Sequence, residues 1–89
     1  MAAPGRDEPP TGWVTPALTC LTDGIYYGWI DGVPNPVFWH WCEPSGRWLA
    51  VGTAAHTLVA REPLHLEASL LWTCCGLHGF VRDGKWIPA

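Results

Sequence analysis

The sequence predicts a small, single-domain, mainly β protein made of short antiparallel strands and hairpins. Three observations carry that expectation. The chain has 89 residues, which is room for one domain. Aromatic and β-branched runs alternate with Gly, Pro and Asp turn signals roughly every 8–12 residues. Apolar residues do not recur at three and four, and with ten Gly and nine Pro almost every helical window is interrupted. The one segment that reads differently, Glu67 to Trp72, is too short for a stable helix.

The elements follow in order. Residues 1–12, MAAPGRDEPPTG, carry no apolar periodicity and read as a flexible arm. Residues 13–89 form the domain and hold all seven Trp. Gly24 to Ile30 is aromatic and β-branched and ends at the turn dipeptide Asp31-Gly32. Val37 to Trp41 resumes after two prolines. Pro44-Ser45-Gly46 then turns the chain into Arg47 to Val51. His56 to Val59 and Leu64 to Leu66 are shorter candidates. Gly79 to Arg82, Asp83-Gly84 and Lys85 to Ile87 make the clearest hairpin, since Asp-Gly supplies the positive φ values of a type I′ turn.

Composition excludes several function classes. Lys plus Arg is 5 against 8 Asp plus Glu, a net charge of −3. There is no basic cluster to grip duplex nucleic acid. No apolar run reaches the roughly 18 residues of a membrane helix. Met1 to Pro10 lacks the apolar core of a cleaved signal, so export by that route is not expected. Disorder is excluded for most of the chain by 48% hydrophobic residues and 15% charged ones.

A domain of this size has a marginal core, and a staple would strengthen it. Four Cys (20, 42, 74, 75) and four His (40, 56, 65, 78) are available. In a chain that stays in the cytosol, metal binding is the better reading than disulfides. Two clusters stand out. His40 and Cys42 alternate on one strand and so share a face. Cys75 and His78 are two residues apart around Gly76, a spacing that one tight turn can aim at one ion. Together they form a Cys2His2 zinc set: His40, Cys42, Cys75 and His78. Cys74 stands in reserve, because adjacent side chains diverge on an extended backbone. Cys20 reads as a buried small hydrophobe, and His56 and His65 as ordinary strand or surface residues.

Two stretches carry a resemblance. Arg61-Glu62-Pro63-Leu64-His65-Leu66-Glu67-Ala68-Ser69-Leu70 is similar to an R-E-x-P-T-L-x-P-S-[IL] stretch. Cys75-Gly76-Leu77-His78-Gly79-Phe80-Val81-Arg82-Asp83-Gly84-Lys85-Trp86 is similar to a closing C-G-x-H-G-[FY]-[LV]-x-[DN]-G-x-W motif. Both resemble an uncharacterised family of small bacterial and bacteriophage proteins that also carries a Cys-rich turn. The resemblance spans roughly residues 37–87. It implies a metal site and a phage or prophage origin, in the bacterial cytoplasm or on the virion. Cys42 stands alone where that family often has two or three Cys, and Leu64, His65 and Ala68 replace its Pro, Thr and Pro.

Seven Trp are many for so small a core. Four or five are expected inside and one or two at the surface, where Trp anchors partners. Trp39 and Trp41 share one strand face, and with Trp48 they are the candidate contact residues. The functional expectation is a non-catalytic, zinc-stabilised protein-interaction module, a phage accessory or structural protein that docks on a protein partner or self-associates. A Trp platform for carbohydrate and a minimal zinc metalloenzyme are the alternatives. No H-E-x-x-H or zinc-deaminase pattern is present.

Overall fold

A computed structural model describes residues 5–8 and 18–89 of the chain. Nine strands follow one another: β1 (Thr19–Thr22), β2 (Ile25–Gly28), β3 (Val37–Cys42), β4 (Arg47–Gly52), β5 (Thr57–Arg61), β6 (Leu64–Glu67), β7 (Leu70–Trp72), β8 (Leu77–Arg82) and β9 (Lys85–Pro88). They form three antiparallel sheets with orders β1-β2-β3-β4, β5-β6 and β7-β8-β9. The described residues contain no helix, and Glu67 to Trp72 is instead the end of β6 and the whole of β7. The mainly β expectation therefore holds. Trp13 and arm residues 1–4 and 9–12 lie outside the described residues.

Turn chemistry explains where the strands end. Asp23-Gly24, Asp31-Gly32 and Asp83-Gly84 all place Gly at positive φ (83°, 80° and 72°). At the last of these Asp83 is also positive, at 56°, so the terminal hairpin has the two left-handed residues of a type I′ turn. The backbone amide of Gly84 donates to the Leu64 carbonyl at 2.8 Å, tying that turn to β6.

β3 is one of the two inner strands of the first sheet, and alternation divides its side chains. Phe38, His40 and Cys42 face inward and are fully buried. Trp39 and Trp41 face the other way, as expected from their spacing. The core joins the three sheets through Ile25, Phe38, Leu64, Leu66, Leu70, Trp72 and Val81. Each fully buried Leu or Phe there contributes about 1.5–3 kcal/mol.

Two expectations need correction. Only Trp39 and Trp72, each 4% exposed, are core residues among the described Trp. Trp29, Trp41, Trp48 and Trp86 are half-buried. On the outer face of the first sheet the rings partly cover one another: Trp48 meets Tyr26 and Trp41 edge to face at 5.6 and 5.8 Å. Cys20, expected in the core, is exposed. It sits on the edge strand β1, where only the later residues Leu21 and Thr22 turn toward the domain.

Candidate metal centre

β3 delivers His40 and Cys42 to one inward face, near the end of the strand. The chain then reverses through Glu43 to Gly46, where the Gly46 amide donates to the Cys42 carbonyl at 2.8 Å. The facing segment is the β7–β8 turn. Its Gly76 amide donates to the Trp72 carbonyl at 2.8 Å, and the Cys75 amide donates to the same oxygen at 3.3 Å. Gly76 takes φ 74°, which closes a tight turn rather than an extended pair. The divergence expected of adjacent Cys side chains is thereby removed, and both sulfurs point the same way, 3.8 Å apart.

The result is a group of four donors. One ligand atom each from His40, Cys42, Cys74 and Cys75 lies within 4.8 Å of all the others. A regular tetrahedron with metal–sulfur bonds of about 2.3 Å has edges of about 3.8 Å, so small shifts, inward for the wider pairs and outward for the closest, would close the group on one ion. His40 Nε2 lies 3.1 Å from Cys74 Sγ. The four residues can hold a metal ion.

Three residues of the set expected from the sequence, His40, Cys42 and Cys75, lie together here, joined by the reserve residue Cys74. His78 is not in the group. It lies one residue beyond the start of β8, opposite Leu71. The next residue, Gly79, faces inward and is buried, so alternation sends His78 to the exposed outer face, against Phe80 at 6.2 Å. Cys74, the reserve ligand, takes its place. His56 and His65 are outside the group too, and His56 donates from Nε2 to the Ser69 carbonyl at 3.0 Å.

Electrostatics differ from donor to donor. Burial alone lowers the pKa of His40, which keeps the imidazole neutral and able to ligate. Cys42 Sγ lies 3.3 Å from Ser45 Oγ. That hydroxyl holds the Cys42 thiol below its ordinary range, against the opposing effect of burial. Cys74 is pushed up to about 11, first by desolvation and then by the thiols of Cys42 and Cys75. As a residue Cys74 is exposed, but its sulfur reaches the fully buried ring of His40, which reconciles the two.

Aromatic rings back the His40 ligand, a contact that no sequence pattern signals. The His40 ring lies parallel to Trp72 at 4.4 Å, and Trp72 is stacked with Trp86 at 5.4 Å. Gly79 makes room for Trp86: a Cβ there would stand 2.6 Å from Trp86 Cε2 and 2.8 Å from the Ile87 carbonyl oxygen. Of the expected contact residues, Trp39 is too deeply buried to meet a partner, while Trp41 and Trp48 keep part of their surface.

No family model, curated protein or solved structure matches the chain. No helix among the described residues is long and apolar enough to cross a membrane.

Proposed function

We propose that the chain is a non-catalytic interaction module whose small β domain is stapled by a structural zinc ion. The observation that carries this reading is the closed donor set of three thiols and one imidazole within 4.8 Å. Such donors suit zinc in a tetrahedron, and four protein ligands leave no open position of the kind a catalytic zinc keeps for water or substrate. Two ligands come from β3 and two from the β7–β8 turn, so the ion joins the first sheet to the third. In a domain with a marginal core, that bond is folding free energy.

Interaction is supported by apolar surface on the outer face of the third sheet. Leu71 is 56% and Ile87 42% exposed, and Phe80 pairs with Ile87 across the sheet. The carbohydrate alternative has less support, because Trp41 and Trp48 meet at 73° and make no flat platform for a sugar ring. Elemental analysis of untagged protein tests the reading. About one zinc per chain is expected, with a melting temperature that falls in chelator. A metal-free protein that melts unchanged in chelator contradicts it.

A further inference from the structure

Residues 5–8 lie against the domain through contacts that form a pattern. Arg6 donates from Nη1 and Nη2 to the two carboxylate oxygens of Asp23, at 3.1 and 3.0 Å, and from Nε to Glu43 Oε1 at 3.3 Å. Trp48 Nε1 donates to the Gly5 carbonyl at 3.0 Å. Gly24, between the strands of the first hairpin, leaves the space above it open. A Cβ there would stand 3.3 Å from Arg6 Nη2. Asp23 and Glu43 sit on the β1–β2 and β3–β4 turns, at one end of the first sheet. The seat thus offers a fork-matched carboxylate, a second carboxylate and an indole N–H for the carbonyl of the preceding residue. These are the elements that recognise an arginine in a peptide.

A cavity of about 600 Å³ opens beside the Arg6 side chain, with apolar walls from Ile25, Trp41, Pro44, Leu77 and Trp86. Asp7 and Glu8 contribute nothing to its lining. Glu8 turns back, its carboxylate accepting from the Gly5 amide at 3.2 Å. Among the described arm residues, Gly5–Glu8 therefore fill the arginine seat and leave the apolar half of the site open.

The geometry points to a docking site for a partner's peptide segment that carries an arginine next to an apolar side chain, with Gly5–Glu8 as its competitor in cis. This rests on reading the domain as an interaction module and names the chemistry of its partner. The contacts of Arg6 are solvent-exposed ion pairs, which hold weakly on their own. Tethering gives the arm an effective concentration on the order of millimolar. The identical arm of a second copy loses that contest at ordinary protein concentrations. A partner peptide wins it by burying an apolar side chain in the cavity, which Gly5–Glu8 do not do.

The test is calorimetric titration of the full-length, zinc-loaded chain with acetyl-Gly-Arg-Leu-Leu amide, and with the same peptide carrying Gln for Arg. The Arg6→Ala chain is expected to bind the arginine peptide several-fold more tightly than wild type, and to bind the Gln peptide at least tenfold more weakly. Asp23→Asn in the Arg6→Ala background is expected to remove most of the affinity. Equal binding of the two peptides, or equal affinity of wild type and Arg6→Ala, overturns the site. So does light scattering that shows wild type dimerising and Arg6→Ala monomeric, which would assign the seat to a second copy's arm. Zinc is measured on the same samples. A chain that holds zinc and ignores the arginine peptide overturns the docking site and leaves the metal reading standing. A chain that binds the peptide without zinc supports the docking site and removes the staple.

Discussion

The imidazole of His40 lies flat on the indole of Trp72, with ring centroids 4.4 Å apart and planes 6° from parallel. His40 belongs to the first sheet and Trp72 to the third. The contact therefore does two things: it packs the sheets together and fixes the plane of the ring whose Nε2 approaches the Cys74 sulfur. Trp72→Ala is expected to destabilise the domain by roughly 3–5 kcal/mol, the usual cost of emptying a buried Trp site. It should also weaken zinc binding, because His40 loses its support. Urea denaturation and competition with a chromophoric chelator read the two effects. Unchanged zinc affinity in a folded Trp72→Ala protein would show that the ring stack does not position the ligand.

Cys74, inside the donor group, and His78, on the outer face of β8, are told apart by paired variants. Cys74→Ala is expected to lower zinc affinity by orders of magnitude, as loss of one of four ligands in a structural site does. His78→Ala, on the exposed outer face of β8, is expected to leave affinity and melting temperature nearly unchanged. The reverse result would restore the Cys2His2 set of the sequence reading.

Acid should loosen the fold in a defined direction. Burial lowers the His40 pKa in the folded state, while the unfolded chain titrates near the usual value of about 6.5. Between the two, the unfolded state holds the extra proton. The stability associated with a neutral His40 is thus complete above about pH 6.5 and is lost as pH falls toward the depressed folded value. Zinc steepens the loss, since its ligands must shed protons to bind. Urea midpoints measured across that range should fall on acidification, more steeply with zinc than in chelator. His40→Phe should flatten the chelator curve. A midpoint that rises on acidification would contradict this assignment.

Gly79 is required for a reason distinct from backbone freedom. Its missing Cβ is the space that Trp86 occupies. Gly79→Ala should cost about 1–3 kcal/mol through overpacking and change the Trp fluorescence. A Gly79→Ala protein as stable as wild type, with unchanged emission, would mean that Trp86 can move without penalty.

Much of the fold could be read from local chemistry. Asp83-Gly84 announces its own turn, and Val37 to Cys42 announces a strand with His40 and Cys42 on one face. These signals are local and survive tertiary context. β1 (TCLT) lacks the aromatic and β-branched run that marks β2, and β7 has only three residues, too few to show alternation. An extended backbone would keep Cys74 away from the site. The positive φ of Gly76 closes a turn instead, and the Cys-Cys-Gly order is the signal that could have suggested it. Spacing from Cys75 alone points to His78. His78 lies inside β8, next to inward-facing Gly79, so strand alternation turns it outward, and its spacing from Cys75 does not report where the strand begins. The stacking of Trp72 with both His40 and Trp86 joins residues far apart in the chain.

The central claim is that three sulfurs and one nitrogen of this chain surround one zinc ion. X-ray absorption at the zinc edge of the untagged, zinc-loaded protein measures that shell directly. The expected spectrum fits three sulfurs at about 2.3 Å and one nitrogen at about 2.0–2.1 Å. Cys42→Ser and Cys74→Ser should each reduce the sulfur count. A shell of two sulfurs and two nitrogens that reverts on His78→Ala, or one built from oxygen and solvent, would contradict the account.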